Sequence, residues 1–291
     1  MSGMCQLSAL ILRNAHVRSH FQAGRSPKML KTERQDEILA ILKKNKYASV
    51  QELGAALYAS QPTIRRDLAQ LEAAGYVMRS HGGVILRDER IDTPVAFRSS
   101  TKTRQKMLIS HAAAGLIGDS RTIFVDASTT ASFIAGDIRN AEGLMVVTNS
   151  LRVAEELADG APEVWCTGGR LLRTSLAFVG NPSIRAVSDF CADIAFFSSS
   201  ALGTDGIIKD YSPEETEIRR TVLRTAAKKV FLCDSSKFGL PSPFRVCALG
   251  EVDCIITDAP LPQDIEAVSR FTCTEGNGAY LYRRKDSDLG V

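Results

Sequence analysis

Two stretches of this 291-residue sequence gather residue types that can do chemistry. The first is Ser60-Gln61-Pro62-Thr63-Ile64-Arg65-Arg66-Asp67-Leu68, which sets two guanidinium groups beside a hydroxyl in a run with helical periodicity. Ile64, Leu68 and Leu71 recur at i, i+4 and i+7 and form one apolar stripe. At about 3.6 residues per turn, Arg66 then stands nearly opposite the stripe, with Thr63 and Arg65 on its flanks. Ser60 suits the N-cap, and Pro62 falls in the first turn, where a missing N–H costs little. A helix docked by its stripe and offering cations from its N-terminal end has the chemistry to meet DNA in the major groove. The second stretch is Asp126-Ala127-Ser128-Thr129-Thr130. Hydroxyls entering a helix beside its first-turn amides can cradle a phosphate. Asp126 would repel that phosphate and suits a sugar hydroxyl instead. Ser128 acting only as a helix cap is an equally good reading.

The elements around the first stretch form a small DNA-binding unit. Thr32-Glu33-Arg34-Gln35 and Ser49-Val50-Gln51-Glu52 both fit the capping box, Ser/Thr followed three residues later by Glu/Gln. They predict one helix carrying Ile38, Ile41 and Leu42, and a second carrying Leu53, Ala56 and Leu57. A turn at Tyr58-Ala59 leads into Ser60, at helix-turn-helix spacing. Gly75 is placed to end the third helix. Residues 76–79 and 84–86 then read as a β-hairpin wing around His81-Gly82-Gly83, with Arg79 and His81 along it. Charge agrees: residues 25–106 hold sixteen Lys/Arg against nine Asp/Glu, a balance of +7, whereas residues 107–291 carry −6. Cations concentrated at one end of a chain are the footprint of phosphate contacts.

From Thr122 onward, apolar runs alternate with helical stretches, which predicts a parallel sheet covered on both faces. The runs are residues 122–125, 144–147, 163–166, 194–197, 230–233 and 254–256. In open α/β sheets ligands bind at the carboxyl ends of the strands. Those ends read Asp126-Ala127-Ser128-Thr129-Thr130, Thr148-Asn149-Ser150, Thr167-Gly168-Gly169-Arg170, Ser198-Ser199-Ser200 and Asp234-Ser235-Ser236-Lys237. Lys237 is the candidate counter-charge for an anion. Residues 1–30 read as a disordered extension, 87–101 as a polar linker and 284–291 as a tail.

With 44% hydrophobic and 24% charged residues, the composition is that of a soluble two-domain globular protein. The seven cysteines are odd in number and scattered, and no C-x-x-C occurs. Cys166 and Cys233 fall inside expected strands, so buried thiols in a reducing cytoplasm are expected. Neither a metal site nor a cofactor is expected, and no run is long enough to span a membrane.

Residues 31–86 resemble the DNA-binding domain of the DeoR family of bacterial transcription regulators. The resemblance is carried by Arg34-Gln35, by Ser60-x-x-Thr63-Ile64-Arg65-Arg66-Asp67-Leu68, and by Leu71, Gly75 and Arg79-x-His81-Gly82-Gly83. It implies that Ala48–Asp67 is the helix-turn-helix proper. Among its residues Ser60, Gln61, Thr63, Arg65 and Arg66, with Arg79 and His81 of the wing, then belong to the DNA-binding surface. Residues 102–283 resemble that family's sensor domain through Asp126-x-Ser128-Thr129-Thr130, Thr148-Asn149-Ser150, Thr167-Gly168-Gly169, Gly180, Glu217 and Asp234-Ser235-Ser236-Lys237-Phe238-Gly239. This implies an α/β fold similar to ribose-5-phosphate isomerase that binds a phosphorylated sugar or sugar acid. The implied pocket is Asp126, Ser128, Thr129, Thr130, Thr148, Asn149, Ser150, Gly168, Gly169, Arg170 and Lys237. Ser198–Gly206 departs from the family's acidic or glycine-rich turn. The resemblance implies a homo-oligomeric repressor on a double-stranded DNA operator. The rival class is an isomerase-like enzyme with an attached DNA-binding domain, and it lacks a carboxylate base at Ser198-Ser199-Ser200.

Overall fold

A computed structural model describes residues 30–45, 47–73, 76–80, 83–86 and 95–287. The N-terminal unit runs α1 (Lys31–Asn45), β1 (Tyr47–Ser49), α2 (Val50–Ala56), α3 (Gln61–Ala73), β2 (Val77–Ser80) and β3 (Gly83–Leu86). Ile38, Leu42, Leu53, Ile64, Leu68 and Leu71 close one core with Val77 and Val84. Each such side chain contributes about 1.5–3 kcal/mol by leaving water. The wing has three strands rather than two, in the order β1-β3-β2, all antiparallel. Gly83 is obligatory at the β1–β3 contact, because a Cβ there would stand 2.6 Å from the Ala48 carbonyl oxygen.

One cap differs from expectation. Ser49 and Glu52 form the full capping box at the start of α2. At α1, however, the helix begins before Thr32, and it is Glu33 that reaches back, accepting from the Leu30 amide at 3.0 Å. The Thr32–Gln35 box is therefore replaced by a Leu30–Glu33 arrangement, two residues earlier. The helix-turn-helix corner is Tyr58, in the left-handed region at φ 50° and almost fully exposed.

The second unit begins with α4 (Val95–Ser100) and α5 (Thr103–Ala114). Val95–Ser100 had read as linker by composition, yet it is helical, with Val95 buried. The central strands follow: β4 (Thr122–Val125), β5 (Met145–Thr148), β6 (Glu163–Cys166), β9 (Ile194–Phe197), β12 (Lys228–Cys233) and β14 (Cys254–Thr257). They are mutually parallel in the spatial order β6-β5-β4-β9-β12-β14. An antiparallel pair, β15 (Phe271–Gly276) and β16 (Ala279–Arg284), extends the sheet beyond β14. Smaller pieces complete the unit: the hairpin β7 (Arg170–Leu172) and β8 (Ala177–Val179), and the sheet of β10 (Ala201–Leu202), β11 (Ile207–Asp210) and β13 (Phe244–Ala248).

Alternation along the strands divides the core between two faces. Ile123, Val125, Ile194, Phe196, Val230 and Leu232 pack on one side with Ile109 and Ala113 of α5. That layer also holds Ile134 of α6 (Ile134–Ile138) and Val153 of α7 (Leu151–Leu157). Phe124, Val147 and Ala195 point the other way, onto α8 (Asn181–Ser188) and α9 (Pro213–Thr225). The edge strand β6 departs from the expectation of burial: Trp165 is 46% exposed, and Cys166 is exposed while Cys233 is buried. Each edge strand has only one neighbour, so its outer face meets water.

Candidate functional site

On α3 the apolar stripe is sunk in the head's core, while Gln61, Arg65 and Arg66 are exposed and Thr63 is half-buried. Ser60 caps the helix, accepting from the Thr63 amide at 3.4 Å, with its hydroxyl 2.9 Å from that of Thr63. Asp67 does not join the exposed face. It is buried, and its carboxylate takes the Arg34 Nε of α1 at 2.6 Å, which fixes the presenting helix against its neighbour. Arg79 lies on β2, and His81 lies outside the described residues.

The sheet connections reverse between β4 and β9: β4, β5 and β6 step one way, β9, β12 and β14 the other. The crevice at the carboxyl ends of such a pair is where α/β sheets take ligands. Lys237, in the turn after β12, donates from Nζ to the Ser198 hydroxyl beyond β9 at 2.8 Å and lies 3.5 Å from Asp234 Oδ2. Burial alone would raise the Asp234 carboxyl, but Lys237, the Ser236 hydroxyl and Lys106 hold it below the usual range. Lys106 of α5 is buried, and its Nζ donates to the Arg98 carbonyl. Desolvation brings the Lys106 pKa down to about 7, with Lys237, Arg98 and Arg152 adding like charge and Asp234 opposing them. Arg152 donates to the Ser99 hydroxyl. Lys237, Arg98 and Arg152 thus gather round Lys106 with Asp234 opposing them, a compartment whose excess of cations is suited to an anion.

Beside it lies a second buried cluster. Arg219 of α9 binds Asp126 through Nε and Asp210 through Nη1, both at 2.8 Å, and its Nη2 is 3.8 Å from Glu215. The three carboxylates outweigh burial and push the Arg219 pKa further up. Burial raises the Glu215 pKa despite Arg219. Glu215 Oε1, Arg98 Nε, Thr101 Oγ1 and Thr130 Oγ1 are buried without a hydrogen-bond partner. Buried polar atoms are nearly always satisfied, by protein groups or by water, so these four are open to a partner from outside the chain, water or ligand.

The model of the DeoR C-terminal sensor domain matches residues 101–259, and that of the DeoR-like helix-turn-helix domain matches residues 34–90. The chain belongs to the DeoR family. It is 30% identical to the glycerol-3-phosphate regulon repressor of Escherichia coli K12 over 82% of this chain and 96% of that one. The HTH-type transcriptional repressor CsqR of the same strain is 28% identical over 80% and 90% of the two chains. Among solved structures, ribose 5-phosphate isomerase A of Methanocaldococcus jannaschii matches 47% of this chain and 55% of its own, at 16% identity and a TM-score of 0.35. That likeness is too weak to carry an activity across.

In this DeoR-family regulator many sequence-predicted pocket residues serve the scaffold. Ser128 accepts from the Ala131 amide at 3.2 Å, which is the capping role. Thr148 donates to the Val125 carbonyl at 2.6 Å, Asn149 accepts from the Ala127 amide at 3.1 Å, and Ser150 caps α7 at 3.3 Å. Gly168 and Gly169 follow the edge strand β6. A Cβ on Gly169, whose φ is +104°, would stand 2.6 Å from the Val179 carbonyl oxygen, so close packing against β8 demands this glycine. Arg170 faces solvent, paired with Glu214 at 2.8 Å. Thr129 and Thr130 are buried beside Asp126, whose Oδ1 accepts from the Ser128 amide at 3.0 Å. Sequence reading missed Arg98, Lys106, Arg152 and Arg219. Lys106 carried a signal: with Ile109 and Ala113 it recurs at i, i+3 and i+7, a lysine on a buried stripe.

Among the described residues, no helix is long and apolar enough to cross a membrane, and no group of three or more His, Cys, Asp or Glu is arranged to hold a metal.

Proposed function

We propose that this regulator represses a carbohydrate catabolic operon and is controlled by a phosphorylated sugar or sugar acid seated among Arg98, Lys106, Arg152 and Lys237. The observation that carries this is the cation cluster itself, where Lys237, Arg98 and Arg152 gather round the buried Lys106 with Asp234 opposing them, at the carboxyl ends of β9 and β12. Cations held out of water without enough counter-charge are stabilised by a dianion. Asp126 and Glu215 next to it offer acceptors for sugar hydroxyls. The names of its relatives, a glycerol-3-phosphate regulon repressor and a putative aga operon repressor, fit this reading. Thr63, Arg65 and Arg66 contact the major groove, Ser60 and Gln61 flank them, and Arg79 and His81 touch the backbone or minor groove. Paired heads of a homo-oligomer read paired half-sites.

The isomerase reading finds little support. Asp126, the remaining candidate base, is engaged by Arg219 and the Ser128 amide, and the turn after β9 offers serines. A thermal-shift screen pairing phosphorylated sugars and sugar acids with their unphosphorylated forms tests the proposal. Only phosphorylated members should raise Tm, and Lys237→Ala should abolish the rise. Equal shifts from unphosphorylated sugars would overturn it, and robust turnover of ribose 5-phosphate would reinstate the enzyme.

A further inference from the structure

The attachment of α4 to the sensor is made at the anion compartment. The Val95 amide donates to the Thr174 carbonyl at 2.7 Å, which anchors the start of the helix. The rest is held by the compartment's own cations: Lys106 donates to the Arg98 carbonyl and Arg152 to the Ser99 hydroxyl. A third cation, Arg98, rides on α4 itself, with its Nε buried and without a partner. Thr101, one residue past α4, has a buried hydroxyl in the same condition. So the segment that closes on the cations brings another cation with it. Without an anion, Arg98 and Lys106 repel each other, with Lys237 and Arg152 adding like charge at Lys106. Among the described residues the opposing charges beside them include Asp234, already shared with Lys237, and Glu215, which burial biases toward its neutral form.

We propose that α4 is an effector-operated clamp: a phosphate group in the compartment recruits the Arg98 guanidinium and converts the repulsion that loosens α4 into an attraction that seats it. This rests on the reading that the compartment holds the effector's phosphate. Planar guanidinium donors bind phosphate oxygens with charge-assisted hydrogen bonds, and Arg98 Nε is a free donor for one. In chain order, α4 continues backward through residues 87–94 into β3 of the DNA-binding head. Seating α4 therefore fixes the sensor-side end of the chain's connection to the head. Effector and operator affinity become coupled through a single six-residue helix.

Hydrogen exchange on the full-length chain, with inorganic phosphate as the probe and chloride matching the ionic strength, tests the clamp. Peptides covering Val95–Ser100 should exchange roughly tenfold more slowly at saturating phosphate, while α6 is unchanged. Arg98→Gln should still bind phosphate, more weakly, through Lys106, Arg152 and Lys237, and lose the slowing. Arg98→Lys, which keeps the charge, should recover part of it. If calorimetry shows phosphate binding but Val95–Ser100 exchanges as fast as before, or slows equally in Arg98→Gln, the clamp is wrong and the phosphate site stands. If calorimetry shows no saturable phosphate binding, the site reading falls and takes the clamp with it.

Discussion

Arg65 and Arg66 stand in water on α3, whereas Lys106 is buried on α5 among Arg98, Arg152 and Lys237. Both regions present cations to an anion, but solvent sets what each can bind. An exposed pair costs nothing to hold charged and works by releasing counterions from a long polyanion, so its contribution fades with salt. A buried group is expensive to hold charged and regains that energy only when a compact dianion arrives. It is screened far less by salt and far more sensitive to pH. The anchoring follows the same division. The helix α3 is held by an apolar stripe together with the Arg34–Asp67 ion pair, while the sensor site leans on the network around Arg219.

The largest test of that contrast is Arg219→Met. It removes the counter-charge of Asp126, Asp210 and Glu215 in one step and leaves buried carboxylates uncompensated. Breaking buried pairs this way costs about 3–5 kcal/mol, read by chemical denaturation of the full chain. A loss below about 1 kcal/mol would mean that the strand ends hold their geometry without the network.

The pH profile of Lys106 comes next. Its folded pKa of about 7 lies below the 10.5 of a lysine in water. Between those values the unfolded chain binds the proton and the folded one does not, so stability rises with pH through this window; below about 7 both states are protonated and the gain is gone. The ligand-free protein should therefore gain about 2–3 kcal/mol between pH 7 and 9, and Lys106→Met should flatten that rise. Binding of sulfate, which does not titrate in this range, should weaken over the same interval as Lys106 loses its charge. A flat profile in the wild-type protein would place Lys106 in water and erase the contrast with α3.

What the sequence disclosed follows from the same physics. The stripe of Ile64, Leu68 and Leu71 and the runs that became β4, β9 and β12 were legible because burial imposes periodicity or continuity on nearby residues. The hairpin β15–β16 was not, since Thr272, Thr274 and Glu275 break its apolar character on an exposed edge. Lys237 was legible at a strand end. Arg98 and Arg152 were not, because cations on helices usually face solvent and only the fold brings them within reach of Lys106. The charge tally even misdirected, crediting Arg98 and Lys106 to the DNA-binding end although both belong to the sensor's compartment.

On α3, Arg66→Ala should weaken DNA binding by about 1–3 kcal/mol if it reads a base, and should lower the salt slope by about one if it meets a phosphate. Measured at two salt concentrations, the Arg66 effect should shrink as salt rises, while the effect of Lys237→Ala on phosphate binding should persist. Equal salt sensitivity of both would collapse the distinction between exposed and buried cations.

The smallest effect belongs to Ser128, and it tests which hydroxyls in the sensor are scaffold and which are site. Its Oγ already accepts from the Ala131 amide, whereas Thr130 Oγ1, two residues on, is buried with no partner. Ser128→Ala should cost about 1 kcal/mol of stability, the usual loss of a cap, and leave phosphate affinity unchanged. Thr130→Val keeps the shape and removes a hydroxyl that has nothing to bond in the ligand-free chain, so stability should hold or rise slightly. Effector affinity should then fall by about 0.5–1.5 kcal/mol, the worth of one neutral hydrogen bond. The opposite pattern, affinity lost with Ser128 and kept without Thr130, would make Ser128 the effector contact and Thr130 part of the scaffold.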